Sequence, residues 1–439
     1  MFKVCFIILK ENRTLQLPGS TSTNPGISDL PVVPPVGMQI TDVKTGVPYY
    51  VVKVQDVRQG TPGPSFLDYL AELEPRATVA TPDEASKTTP EVAEAGTRSM
   101  QEKVVAYQQW TERYGHIRPH ISADYQGHKF VAAGKRLMYS NTWKFVPDFL
   151  RDYIPTVFGK EWGDTEQAKP EAERHPVFQW RVEALRYMNT QSRKPDGSFE
   201  ARPSGFLAAY MGFAFNLFAV EDNGGLDETL LRRLKHHEQF QGARHELFAE
   251  ATCLRAGFRI EREDEKDPTK RHAEFTAVHI TTGERFSVEA KSRHYAGVLG
   301  RPGSVQLPEK MSLTFGHLIN DAIAKKPQYP LVIFVDTNLP FRTAQRLYAP
   351  QSVNPIVPPR YMLRLVERVR KDHSGVDPYA MLIFTNHPHH YSEPNELDPQ
   401  RHVLAIISTT MGGTKLQALQ ALYWAVNLYG NIPNEFPPQ

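Results

Sequence analysis

An unbroken apolar run, Leu331 to Val335 closed by Asp336, constrains the fold of this chain more than any other segment. A strand with one wet face alternates apolar and polar residues. A run without alternation is buried on both faces and needs cover on each side. Two later runs, Tyr379 to Thr385 and His402 to Ser408, are of the same kind. Helical spacing separates and closes them, over 360–371 and 416–428. The simplest arrangement is an α/β one, a sheet between layers of helix.

Upstream of this run lies a second kind of strand, Phe286-Ser287-Val288-Glu289-Ala290-Lys291. Residues two apart share a strand face, so Glu289 and Lys291 project together. The preceding segment, 271–280, is rich in Thr, Val, Phe and Ile, and Thr281-Thr282-Gly283 joins the two as a hairpin. A Thr281-Thr282 loop sets Glu274 opposite Glu289, and a Thr282-Gly283 loop sets it opposite Lys291. Either register puts Glu274, Glu289 and Lys291 on one face, and only a one-residue slip separates them. Opposed like charges repel unless a cation or basic group sits there. The plain alternative is an exposed polar face on which Glu274 pairs with Lys291 or Arg285.

A helix precedes the hairpin, from about Gln241 to Ala256, with Leu247, Ala251 and Leu254 at helical spacing and Gly257 as its C-cap. Glu246 on that helix reads alone as dipole compensation, and Glu250 as a solvated position. After Lys291 comes a Gly/Pro-rich stretch, 297–308, then a helix over about 313–325, then the buried strand. With a strand beginning at Phe258-Arg259-Ile260-Glu261 between the first helix and the hairpin, the order is helix, three strands, helix, strand.

That order, with an acid on the first helix, an acid on the second strand and Glu289-Ala290-Lys291 on the third, resembles the PD-(D/E)XK nuclease superfamily. The resemblance covers about residues 241–336. It implies a restriction-endonuclease-like αβββαβ core, with a mixed sheet flanked by helices. Glu246 corresponds to the helix acid, Glu274 to the second-strand acid, and Glu289 and Lys291 to the E-x-K pair. The family commonly has aspartate where Glu274 stands, so this chain departs from it there by one methylene. The activity implied is phosphodiester hydrolysis, in DNA first of all, with Mg²⁺ or Mn²⁺ held by Glu246, Glu274 and Glu289 and with Lys291 orienting the attacking water. An inactive module that binds nucleic acid or protein, and an RNA-cleaving defence effector, are the alternatives. A bacterial setting and a homodimer are further expectations of the resemblance.

Other residues are candidates for phosphate contact. His272 lies on the Glu274 face of its strand, and Arg293 and His294 follow the E-x-K pair. Arg360, Arg364 and Arg368 recur every four residues along one helical face. That stripe reads equally as the wet side of an amphipathic helix. A second basic run, Leu231 to His237, leads into the Glu246 helix. His387-Pro388-His389-His390 invites a metal reading but reads more simply as a surface loop.

The rest of the chain is coarser. Its 439 residues suffice for two or three domains. We read 1–98 as a strand- and loop-rich segment ending in a Pro/Ala/Thr/Glu linker, 99–238 as helical, and 239–439 as the nuclease-like domain. Two cysteines and no zinc-ligand spacing point to a reducing, cytoplasmic setting. Phe2 to Leu9, interrupted by Lys3, reads as a strand, and no stretch has the length and apolarity of a membrane span. A net charge of +2 leaves any nucleic-acid surface local rather than global. No Walker-type phosphate loop and no G-x-S-x-G occurs, which speaks against an ATPase or a serine hydrolase.

Overall fold

The computed structural model describes residues 90–439 apart from 196, 199, 263–272, 296, 300–314, 340–359, 391–402, 410–412 and 438–439. Within the first 89 residues it describes six strands. The chain divides into two compact units, Met1–Met100 and Gln101–Gln439. In the first, β1 (Phe2–Ile8), β2 (Arg13–Thr14), β3 (Ile27–Leu30), β4 (Gln39–Thr41), β5 (Pro48–Asp56) and β6 (Tyr69–Pro75) form a sheet of order β2-β1-β6-β5-β4, with β3 also paired to β1. Strands β2 and β3 fall within residues 12–37, whose Pro, Ser, Thr and Gly content reads as loop. Helix α1 (Pro90–Tyr114) begins inside the stretch expected to be linker.

The second unit contains a sheet of order β10-β11-β12-β13-β14-β15. Its strands are β10 (Phe258–Glu261), β11 (Phe275–His279), β12 (Arg285–Ser292), β13 (Leu331–Asp336), β14 (Met381–Thr385) and β15 (Val403–Ser408). The first three pair antiparallel, β12, β13 and β14 run parallel, and β15 returns antiparallel. Every residue of β13 is buried, as its sequence requires. Val332 and Phe334 face helices α7 (Phe240–Arg255) and α10 (Gly413–Asn427) in one core. Leu331, Ile333 and Val335 face α8 (Gly316–Ile323) and α9 (Arg360–Asp372) in another. Each large apolar side chain so buried contributes about 1.5–3 kcal/mol.

Helices α2 (Val146–Phe158), α3 (Lys160–Ala168), α4 (Pro176–Asn189), α5 (Gly205–Asn223) and α6 (Glu228–Lys235) precede α7. Ser204 caps α5 by accepting from the Leu207 N–H, and Asp227 caps α6 by accepting from Thr229 and Leu230. Helix α7 is apolar on two sides. Phe248, Ala249 and Cys253 pack on the sheet, and Ala243, Leu247, Ala251 and Leu254 pack on the helices. The helical segment and the sheet therefore share one compact unit, joined through α7. Gly257 ends the helix at φ +81°, a left-handed conformation that suits glycine.

The segment expected to be helical also holds a three-stranded antiparallel sheet, β7 (Ile121–Tyr125), β8 (His128–Ala133) and β9 (Arg136–Ser140). A two-residue turn, Gln126-Gly127, both at positive φ, joins β7 to β8. That is the geometry that matches strand twist.

Candidate active site

The β11–β12 ladder pairs Phe275 with Val288 and Thr276 with Ser287. This is the register that sets Glu274 opposite Glu289. The turn is wider than two residues, closed by His279 and Glu284, with Gly283 at φ +71°. Phe286 and Val288 enter the core under α7, so Glu289 and Lys291 project from the other face of β12. Glu274 lies in the bend that opens β11, its N–H bonded to the Val288 carbonyl.

These side chains converge. Lys291 Nζ lies 2.7 Å from Glu289 Oε2 and 3.7 Å from Glu274 Oε1. A second lysine completes the group. Lys325 Nζ, just past the end of α8, lies 2.7 Å from Glu289 Oε1 and 3.8 Å from Glu274 Oε1. The contacts are close as ion pairs, although they fall short of hydrogen-bond alignment at the carboxylate. The Glu289 side chain is fully buried, while Glu274, Lys291 and Lys325 keep about a fifth to a quarter of their surface in solvent. Burial raises the Glu289 carboxyl above its ordinary range, with the two lysines pulling against it. Burial works against the Lys291 ammonium, but Glu289 and Glu274 outweigh it, and its pKa stands above that of an ordinary lysine.

Glu246 belongs to the same neighbourhood. Burial first, and the Glu274 charge next, push its carboxyl up to about 8 against the pull of Arg233. Arg233 Nη1 of α6 lies 2.6 Å from Glu246 Oε2. Three acids, Glu246, Glu274 and Glu289, thus stand among three cations, Arg233, Lys291 and Lys325. Sequence reasoning passed over Arg233 and Lys325. The basic run on α6 was the only signal for Arg233. Lys325 carried none, because its place in the site depends on how α8 crosses the sheet.

The remaining candidates are scattered. Arg293 lies over the Tyr295 ring at 4.2 Å and the Phe315 ring at 5.1 Å, and its backbone is tied to Asp336, Gln241 and Asn338. This anchors the segment just beyond the E-x-K pair. His294 is exposed. Arg364 and Arg368 are exposed on α9, while Met362, Leu365 and Val369 enter the core. Arg360 begins that helix. His272 lies outside the described residues. Glu250, expected to be solvated, is buried and paired with Arg262 at 2.7 Å, because α7 is covered on both sides.

The histidine segment is no surface loop. His387 and His389 are buried, and His389 stacks on Trp180 at 5.4 Å. His245, Asp336 and His387 offer ligand atoms within 4.8 Å of one another, the one such trio among the described residues. His245 Nδ1 and His387 Nε2 are 3.3 Å apart. Asp336, however, already pairs with buried Arg244 at 2.6 Å and accepts from Ser292 at 3.1 Å. A fixed guanidinium charge there opposes a divalent cation. We read the trio as part of a polar latch between α7 and the ends of β13 and β14.

Comparison of the chain with protein-family models, curated proteins and solved structures gives no match. The class that the structure itself defines is an α/β protein with a six-stranded mixed sheet flanked by helices and an acid–lysine cluster at one strand pair. No helix among the described residues is long and apolar enough to cross a membrane.

Proposed function

We propose that the chain is a metal-dependent nuclease of restriction-endonuclease-like fold that hydrolyses phosphodiester bonds, in DNA first of all. The observation that carries the reading is the convergence of Glu274, Glu289 and Lys291, with Glu246 close enough to feel the Glu274 charge. The element order α7-β10-β11-β12-α8-β13 supports the reading, since an αβββαβ core would run in that order. The donor set suits a hard cation, since carboxylate oxygens are what Mg²⁺ and Mn²⁺ prefer. Glu274 and Glu289 would hold the ion, with Glu246 holding a metal-bound water or a second ion. The ion would supply charge neutralisation at the phosphate and a lowered pKa for a coordinated water.

The chain's own residues do the rest. Glu289, buried on a central strand, is a fixed donor. Lys291, held on the same strand face, orients the attacking water and balances charge growing on the phosphate oxygens. The exposed guanidinium groups of Arg364 and Arg368 offer a local surface for a nucleic-acid backbone, as a chain of net charge +2 requires.

One observation favours a second reading. Every acid of the cluster is already matched by a cation, which would suit a nuclease fold that binds nucleic acid or protein without cutting. Incubation with plasmid, linear duplex, single-stranded DNA and RNA decides between them. The nuclease reading expects cleavage of at least one substrate with Mg²⁺ or Mn²⁺ and none with EDTA. Binding without cleavage under every metal condition supports the second reading.

A further inference from the structure

Lys325 stands where a cation would stand. Its ammonium lies between Glu289 Oε1 at 2.7 Å and Glu274 Oε1 at 3.8 Å. Those are the two carboxylates that the nuclease reading gives to the metal. An ammonium is a compact point charge, so it can occupy such a position without satisfying a coordination geometry. Resting on that reading, we propose that Lys325 is a displaceable counter-cation. It holds the two acids together in the metal-free protein, is ousted when a divalent ion enters, and then turns its charge to the scissile phosphate.

The two lysines differ in how they are held. Lys291 sits in a ladder strand two residues from Glu289, and its backbone is paired with Val335 of β13. It pairs with the other oxygen of Glu289, so an ion between Oε1 of Glu289 and Oε1 of Glu274 leaves that 2.7 Å contact in place. Lys325 lies in the turn just past the end of α8. Its N–H bonds to the Ala322 carbonyl, and Lys326 follows at φ +52° with Pro327 after it, so the helix ends there. Only the side chain reaches the site, and a quarter of it remains in solvent. A four-carbon stem of this kind can swing without moving the fold. The freed ammonium stays within one side-chain length of the acids, where a phosphate drawn to the metal must lie.

The test uses the full chain and Mn²⁺ as probe. Binding is measured calorimetrically for the natural chain, Lys325→Met, Lys325→Gln and Glu289→Gln, with thermal unfolding as the check on folding. Lysine reactivity is read by mass spectrometry after brief acylation, with and without Mn²⁺. Both Lys325 variants are expected to bind Mn²⁺ about tenfold more tightly, the lower worth of one lost charged contact. Their cleavage at saturating Mn²⁺ should fall about a hundredfold, as for loss of one charge stabiliser at the reacting group. In the natural chain, Lys325 acylation should rise on Mn²⁺ addition while Lys291 acylation stays low. Unchanged Mn²⁺ affinity in both Lys325 variants, with binding still lost in Glu289→Gln, overturns this proposal and leaves the nuclease reading standing. Equal Mn²⁺ binding in the natural chain and Glu289→Gln, or none in either, overturns both.

Discussion

His120 shows how far a single residue can tie this fold to pH. Its ring stacks flat on Phe218 at 4.4 Å, and neither ring nitrogen has a hydrogen-bond partner among the described residues. Burial holds its pKa down at about 3, against an ordinary 6.5. The folded protein therefore keeps the ring neutral where the unfolded chain takes up a proton. Between those two values the unfolded state binds more protons, so stability falls as pH drops below 6.5 and the loss saturates near 3. We expect the melting temperature to fall from pH 7 to pH 4. In His120→Phe, which keeps the stack without a titrating group, the fall should be shallower. Equal slopes in the two proteins would show that other groups carry the acid sensitivity. At the same scale, Glu274 stands where the nuclease family that the chain resembles commonly has aspartate. The longer side chain starts from the bend before β11, not from the strand, and still places Oε1 3.7 Å from Lys291.

Among the elements, α7 does most to join the molecule. It buries one side on the sheet and the other on α5 and its neighbours, and it carries both Glu246 and the latch residues Arg244 and His245. The Arg244–Asp336 pair ties it to the end of β13 with both side chains all but fully buried. Removing one partner strands a charge that water cannot reach. Arg244→Ala is expected to cost about 3–5 kcal/mol in urea unfolding, the range for a broken buried pair. A change within about 0.5 kcal/mol, the size of an ordinary surface substitution, would mean that the latch carries no stability. The strands and helices around the site were legible in the sequence because their signals are local. Leu331 to Val335 lacks alternation, and either hairpin register keeps Glu274, Glu289 and Lys291 together. What escaped was of two kinds. The β7–β9 sheet falls inside 99–238, whose longer helical stretches on either side dominate its pattern, although Gln126-Gly127 is a turn signal. The burial of Glu250, His387 and His389 escaped because it depends on how the helical segment folds over α7, which no local pattern encodes.

At the scale of the whole molecule, the site is a balanced set of charges gathered from separate elements. Arg233 comes from α6, Glu246 from α7, Glu274 from the approach to β11, Glu289 and Lys291 from β12, and Lys325 from the end of α8. Sequence separation explains why local pattern grouped only the β11–β12 members, with Glu246 joined to them by the resemblance alone. Cations offset the three carboxylates that the fold gathers, Arg233 at Glu246 and the two lysines shared by Glu274 and Glu289. A cluster that serves only structure and one that serves hydrolysis differ in what they require of Lys291. In the first it needs only to balance charge, and in the second it must act on the water and the phosphate. The direct measurement is the single-turnover cleavage rate of Lys291→Ala against the natural chain at saturating Mn²⁺, with circular dichroism to establish that both are folded. The account predicts a fall of about a hundredfold or more in the folded variant, the scale of losing one charge stabiliser at the reacting group. A folded Lys291→Ala protein that cleaves at the natural rate would contradict it.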